Sequence, residues 1–342
     1  MLIFNRLKKK HNTKLFTTPS HSQKRCLVPM FKNFYKYDVS ETDTHTPDEL
    51  LIEAEQFASK VYGTRCTKFL TNGSSSGVIA AVLALASQGD NVLLWRGAHC
   101  SHHNAVKLAG ANPIYYDLPL NEYGVEITEF DIEEYLKSYN IKLLMITSPT
   151  YYGYVADIKR IKSICDKYGV KLFVDEAHGA LYPFSDRLPE SAVKYADVVV
   201  QSLHKTAGGL NPTALLHSNC DVDIDKALSM ITTTSPSYPL LMSIEKNIRY
   251  LNSNNGKKEI EALIDLAQTV HQVEGYSFGG DDPLKLLIKK DGLSGVELSD
   301  ALYSLGVEDE KTNDISTMLL LGIGTDKPKI DKLIKVLNKI KS

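Results

Sequence analysis

The sequence predicts an α/β fold, with a mostly parallel seven-stranded sheet sandwiched by helices and a small α/β unit at the C-terminal end. Two observations predict it. Seven short apolar runs alternate with helical segments from about residue 66, and strands that alternate with helices build parallel sheets covered on both faces. Around residue 250, "YLNSNNGKKE" then breaks the alternation with turn formers and polar residues. The expected organisation is an N-terminal segment over 1–60, a large unit over 61–250 and a small one over 251–342.

The elements follow in order. "MLIFNRLKKKHNTKL" is read as leading into an N-terminal helix, because no apolar stretch of signal-peptide length and no small-residue cleavage site follow it. "TKFLT" is the first strand and "GVIAAVLALASQG" the apolar helix behind it. "NVLLW", "NPIYYDL", "IKLLMITSP", "KLFVDEA", "DVVVQS" and "TALLH" are the other six strands, with helices at "HHNAVKLAG", "EFDIEEYLKSY" and "IKRIKSICDKYG" between them. Beyond the break come one long helix, a strand at "LKLLI", a helix at "SGVELSDALYSLG", a strand at "TMLLLGI" and a terminal helix at "KIDKLIKVLNKI".

Composition excludes several functions. Lys and Arg number 39 against 41 Asp and Glu, a formal charge of −2, so no polyanion-binding surface is expected and nucleic acid is not a partner. No stretch approaches the ~20 apolar residues that span a bilayer, and a soluble protein is expected. The 5 cysteines include no C-x-x-C pair, and an odd count argues against a disulfide framework, which fits a reducing cytoplasm.

Ligands of such folds bind at the carboxyl ends of the strands, and four motifs fall there. "TNGSSSG" at 71–77 opens an apolar helix. Its backbone N–H groups and hydroxyls suit an anion such as phosphate, although Gly/Ser-rich turns are also ordinary connections. "LFVDEAHGA" places Asp175 and His178 just after a buried strand, where a carboxylate needs a cation or a ring N–H as partner. No further residues with ligand spacing support a metal there. In "RGAHCSHHNA", His99 is the histidine nearest the strand end. "QSLHKTAGGLN" sets Lys205 directly after a strand, in the place where a solvated surface charge would otherwise be the ordinary reading. A phosphate cradle, a buried carboxylate and a lysine amine in one cleft are the three anchors of pyridoxal 5′-phosphate (PLP).

The ordered set "TTPSHSQ", "TNGSSSG", "RGAHCSHHNA", "TSPTYYG", "VDEAHGA", "LPESA", "QSLHKT" and "STMLLLGIG" resembles the ornithine/lysine/arginine decarboxylase family, of which the chain looks like a short member. The resemblance implies the PLP-dependent transferase-like fold (fold type I). It implies that Lys205 forms the Schiff base with the cofactor, that Asp175 holds its pyridinium nitrogen and that His99 stacks on its ring. Ser74, Ser75, Ser76, Ser202 and His204 would surround the phosphate. Ala177 would pack on the other ring face, and His178 would lie near the phenolic oxygen and the substrate. Three positions and one short stretch depart from the family's usual residues: Ser20 for Gly, Cys100 for Lys, Leu181 for a second His, and "GLNP" at 209–212 for "ALTQ".

The resemblance further implies a homodimer with shared sites, in which Thr234 and Ser235 of "TTTSPSYPL" reach the phosphate of the neighbouring chain's cofactor. An exposed loop is the ordinary alternative for that hydroxyl- and proline-rich stretch. The implied reaction is decarboxylation of arginine, lysine or ornithine to the amine. Because one carbanion sink serves several reactions, transamination and racemisation stay open, as does a catalytically idle PLP-binding paralogue.

Overall fold

The computed structural model describes residues 14–15 and 49–340. The expected N-terminal helix, "TTPSHSQ" and Cys26 lie outside the described residues.

The elements run β1 (Lys14–Leu15), α1 (Glu49–Tyr62), β2 (Cys66–Leu70), α2 (Gly73–Leu85), β3 (Asn91–Trp95), α3 (Cys100–Leu108), β4 (Asn112–Tyr116), α4 (Ile132–Ser138), β5 (Ile141–Thr147), α5 (Ile158–Tyr168), β6 (Lys171–Asp175), β7 (Val198–Ser202), α6 (Leu203–Thr206) and β8 (Ala214–Ser218). They continue with α7 (Ile224–Ser229), α8 (Tyr238–Leu251), α9 (Asn254–Val270), β9 (Ser277–Gly279), β10 (Lys285–Lys289), α10 (Gly295–Ser304), β11 (Val307–Glu308), β12 (Lys311–Thr312), β13 (Thr317–Leu320) and α11 (Lys327–Leu337).

The main sheet has 7 strands in the order β2-β8-β7-β6-β5-β3-β4. All pairings are parallel except the two made by β8, which runs against both of its neighbours. Val198 to Ser202 and Ala214 to Ser218 are buried throughout. That is why these strands read as continuous apolar runs rather than as alternating ones: helices cover both faces. One face buries Leu93, Leu144, Val174 and Val199, and the other buries Val82, Leu94, Phe173 and Val200.

At Gly77 of α2 a Cβ would stand 2.7 Å from both Leu70 Cδ1 and Val200 Cγ2. Only glycine allows the helix to lie this close, which fixes its N-terminus over the carboxyl edge of the sheet. β2, β3, β5, β6 and β7 all end at that edge, and the antiparallel β8 begins there.

A second, antiparallel sheet has the order β12-β13-β10-β9, and β1 pairs with β11. Leu286, Ile288 and Leu319 on one of its faces belong to the same buried cluster as one face of the main sheet, while Leu287, Met318 and Leu320 pack in a separate cluster with Tyr123, Val125 and Tyr152. The two sheets therefore share a core. The break near residue 250 is a tight corner, with Ser253 capping α9 by accepting the Gly256 N–H at 3.1 Å.

Candidate active site

The loops at the carboxyl edge enclose a cavity of about 700 Å³. Asn72, Gly73, Ser74 and Ser75 reach it from the start of α2, Trp95, Gly97 and His99 from the end of β3, and Thr147 and Pro149 to Tyr152 from the end of β5. Asp175 ends β6, and Ala177 and His178 follow it; His204 and Lys205 follow β7; Pro212 precedes β8. Glu126 comes from the loop after β4, and Lys311 from the small sheet.

Lys205 Nζ lies 3.0 Å from His178 Nε2. Burial lowers the Lys205 ammonium from the ordinary lysine range, against the raising effect of the Asp175 and Glu310 charges. Burial first, and then the positive charges of Lys205, Lys285 and His204, hold His178 well below an ordinary histidine. A neutral His178 accepts from the lysine at Nε2, leaving its ring proton on Nδ1, an atom without a hydrogen-bond partner among the described residues.

Asp175 is 6% exposed, and its Oδ2 lies 2.9 Å from His102 Nε2. The other oxygen accepts the Ala177 N–H at 3.0 Å. Burial alone would raise this carboxyl; the His102 hydrogen bond and charge, Lys205 and the Ala177 N–H outweigh it and hold the group below the usual carboxylate range. His102 is 0% exposed, so Asp175 has one dedicated partner and lone pairs left for the cavity.

The start of α2 is the anion end. Gly73 donates its N–H to the Pro212 carbonyl at 2.8 Å, while the N–H groups that follow in a first helical turn have no intrahelical acceptor. Ser74 and Ser75 line the cavity beside them. Ser76 does not, and its hydroxyl donates to the Gly73 carbonyl at 2.7 Å. Ser202 is buried just outside the lining, with its hydroxyl unpartnered among the described residues. The His204 ring holds the Thr213 carbonyl at 3.0 Å. His99 caps α3, its Nδ1 accepting the Ser101 N–H at 3.2 Å, and burial lowers its pKa.

Tyr151 forms one wall. Its ring meets His178 edge-on at 5.1 Å between centroids, and its hydroxyl donates to Glu310 at 2.6 Å. Buried Lys285 donates to the carbonyls of Thr150 and Tyr151 at 2.9 and 2.6 Å, so the small sheet fixes this wall.

Of the residues expected from sequence, Lys205, His178, Asp175, His99, Ala177, Ser74, Ser75 and His204 are brought into one cavity. Thr234 and Ser235 are exposed and stand apart from it; Ser235 lines a separate groove with Leu51 and Leu240. His102, Glu126, Tyr151 and Lys285 were not expected. The signal for His102 was its place three residues after His99 at a helix start, which turns both toward one side. Among the described residues there is no group of His, Cys, Asp and Glu that could hold a metal ion, and the 4 described cysteines are free. No helix among them is long and apolar enough to cross a membrane.

The arrangement fits PLP. Thr147 and His178, each with an unpartnered buried polar atom among the described residues, line a cavity with an ionised carboxylate, a lysine of lowered basicity and an open helix start.

The family model for the major domain of Orn/Lys/Arg decarboxylases matches residues 10–278. Two relatives from Bacillus subtilis are each 30% identical to the chain: an uncharacterized protein, YaaO, with 92% of this chain and 72% of the relative covered, and an arginine decarboxylase, with 95% and 74% covered. The solved constitutive lysine decarboxylase of Escherichia coli superposes with a TM-score of 0.77 at 24% identity over 90% of this chain, which spans 54% of that one.

Proposed function

The chain belongs to the Orn/Lys/Arg decarboxylase family, whose cofactor is PLP, and from that premise we propose that it decarboxylates a basic amino acid, arginine, lysine or ornithine, to the corresponding amine. The observation that carries the reading is the meeting of Lys205, His178 and Asp175 in one cavity at the carboxyl edge of the sheet.

PLP, when bound, supplies an electron sink for the pair released as the bond from Cα to the carboxylate breaks. Everything else falls to the chain. Lys205 is the covalent anchor: its lowered basicity makes the neutral, nucleophilic amine more available near neutral pH. Asp175, kept ionised by His102, sets a negative charge against the ring-nitrogen end and keeps that nitrogen protonated. His99 and Ala177 flank the ring, and the first turn of α2, with Ser74 and Ser75, receives the phosphate.

Proton return to Cα uses the Lys205–His178 pair. Lys205 Nζ, when free, would take up the proton given off by the substrate's α-ammonium and would deliver it to Cα, with neutral His178 Nε2 holding it in place by accepting a hydrogen bond. The edge-on Tyr151 ring keeps water from the open side of His178.

The active unit proposed is a homodimer with shared sites. The exposure of Thr234 and Ser235 in a single chain, away from their own cavity, supports this, since both are then available to a neighbour.

The test is a panel of amino acids added to PLP-loaded protein while carbon dioxide, amine, keto acid and optical rotation are followed. Carbon dioxide with the matching amine from a basic amino acid supports the reading. Keto acid formation points to transamination, loss of rotation without carbon dioxide or amine to racemisation, and a bound cofactor with no turnover to an idle paralogue; each of these sinks it.

A further inference from the structure

Two carboxylates line the Lys205 cavity, Asp175 and Glu126. Asp175 is committed to His102 and to the Ala177 N–H. Glu126 is half-buried, and among the described residues its carboxylate makes no hydrogen bond and no ion pair. It lies close to Tyr152, whose phenol is pushed up by burial first and by the Glu126 charge second.

The loop that carries Glu126 is a built scaffold. A backbone bridge joins Glu126 to Leu120, and Asn121 Oδ1 accepts the N–H groups of Tyr123 and Val125 at 2.9 and 3.3 Å. Ser316, from the turn before β13, donates to the Tyr123 carbonyl at 2.8 Å, and Val125 is 0% exposed. A side chain on such a loop is held in place without being spent on holding the loop. Lys311 is the other charge on this outer part of the lining, its ammonium 4.7 Å from the Tyr151 ring centre and 5.6 Å from that of Tyr152. It repels a second cation, whereas Glu126 attracts one; Glu310, beside the cavity, is already taken up by the Tyr151 hydroxyl.

We propose that Glu126 receives the cationic end of the substrate side chain and thereby selects a basic amino acid over a neutral one of the same length. The inference rests on the reading that the substrate is a basic amino acid, and it adds the residue that reads the side chain. A partly desolvated carboxylate suits the role, because a charge-assisted hydrogen bond to an ammonium or guanidinium gains strength as water is excluded.

The test is a spectral titration of PLP-loaded wild type, Glu126→Gln and Glu126→Asp with lysine, ornithine, arginine and the neutral norleucine, reading the apparent Kd from the cofactor absorbance. Glu126→Gln keeps the shape and removes the charge. It should weaken the best basic amino acid by about tenfold or more, the size expected when one charge-assisted hydrogen bond is removed. Norleucine should stay within about twofold, a change of under about half a kcal/mol. Glu126→Asp, which keeps the charge, should retain more of the preference than Glu126→Gln. Equal weakening of norleucine and basic amino acids, no weakening of either, or loss of the chromophore in Glu126→Gln would overturn the assignment of Glu126 alone. If wild type responds to no basic amino acid, the basic-substrate reading fails and the role of Glu126 fails with it.

Discussion

His102 and Asp175 form a buried pair, ring Nε2 to carboxylate Oδ2 at 2.9 Å, with the imidazole fully shielded from solvent. The pair links the helix after β3 to the strand end that carries the carboxylate. It is also what outweighs the cost of burying a negative charge there.

His102→Phe keeps the packing volume against Phe173 and removes the donor. Asp175 should then lose its largest counterweight to burial, and its pKa should rise. A carboxyl held below its unfolded value adds stability above the ordinary carboxylate range and loses it as pH falls through the lowered value. The variant should therefore unfold in acid at a higher pH than wild type. PLP should bind about tenfold or more weakly, because the carboxylate proposed to pair with its ring nitrogen no longer has the charge-assisted hydrogen bond that keeps it ionised and in place. Circular dichroism against pH and a cofactor titration measure both; an unchanged acid midpoint together with unchanged affinity would contradict the role.

Glu176, next to Asp175, titrates the opposite way. It is 1% exposed and accepts from the Ala192 N–H and the Ser191 hydroxyl at 2.7 Å and from Gln201 Nε2 at 2.6 Å. Burial nevertheless pushes it up to about 7. A carboxyl raised above its unfolded value contributes stability that is fully present below the unfolded value and lost as pH rises through the folded one. Between pH 5 and pH 8 the loss is on the order of 3 kcal/mol. Melting temperatures against pH should show wild type falling relative to Glu176→Gln as pH rises from 5 to 8, because the variant has no carboxyl to ionise there while sharing the histidine terms. Parallel curves would show that Glu176 stays ionised.

How much of this was legible in the sequence depends on what each residue faces. The central strands could be read because burial on both faces makes them largely unbroken apolar runs, and Lys205, Asp175 and His178 could be read because each lies at or just past the end of one. His102 was separable from its neighbours in "HCSHHNA" only by the phase of α3 relative to His99: it points inward to Asp175, whereas His103 faces Tyr115. The short strands β9 and β12, of 3 and 2 residues, carry too few positions for a period to emerge. Lys285 is a buried lysine inside "LKLLI", whose partners are carbonyls more than 130 residues away in sequence. Ser76 and Ser202 sit in the expected motifs but do not line the cavity: the Ser76 hydroxyl is spent on the Gly73 carbonyl, and Ser202 is buried at the end of β7.

Shared sites can be tested by mixing. A chain with Lys205→Ala and a chain with Ser235→Trp should each be inactive as a homodimer. Mixed dimers should regain activity, because one site takes Lys205 from one chain and Ser235 from the other. If differently tagged chains co-purify and no activity returns, either the sites are not shared or Ser235 does not serve the neighbour's cofactor.

The most direct test is borohydride reduction of the PLP-loaded protein followed by peptide mapping. Lys205, 3.0 Å from His178 in the cavity, is the lysine expected to be the covalent anchor. The predicted result is a yellow protein whose chromophore is bleached on reduction, with the label on the peptide that contains Lys205 and no label in Lys205→Ala. A label on Lys311 or any other lysine, or no visible chromophore after PLP is added, would contradict it.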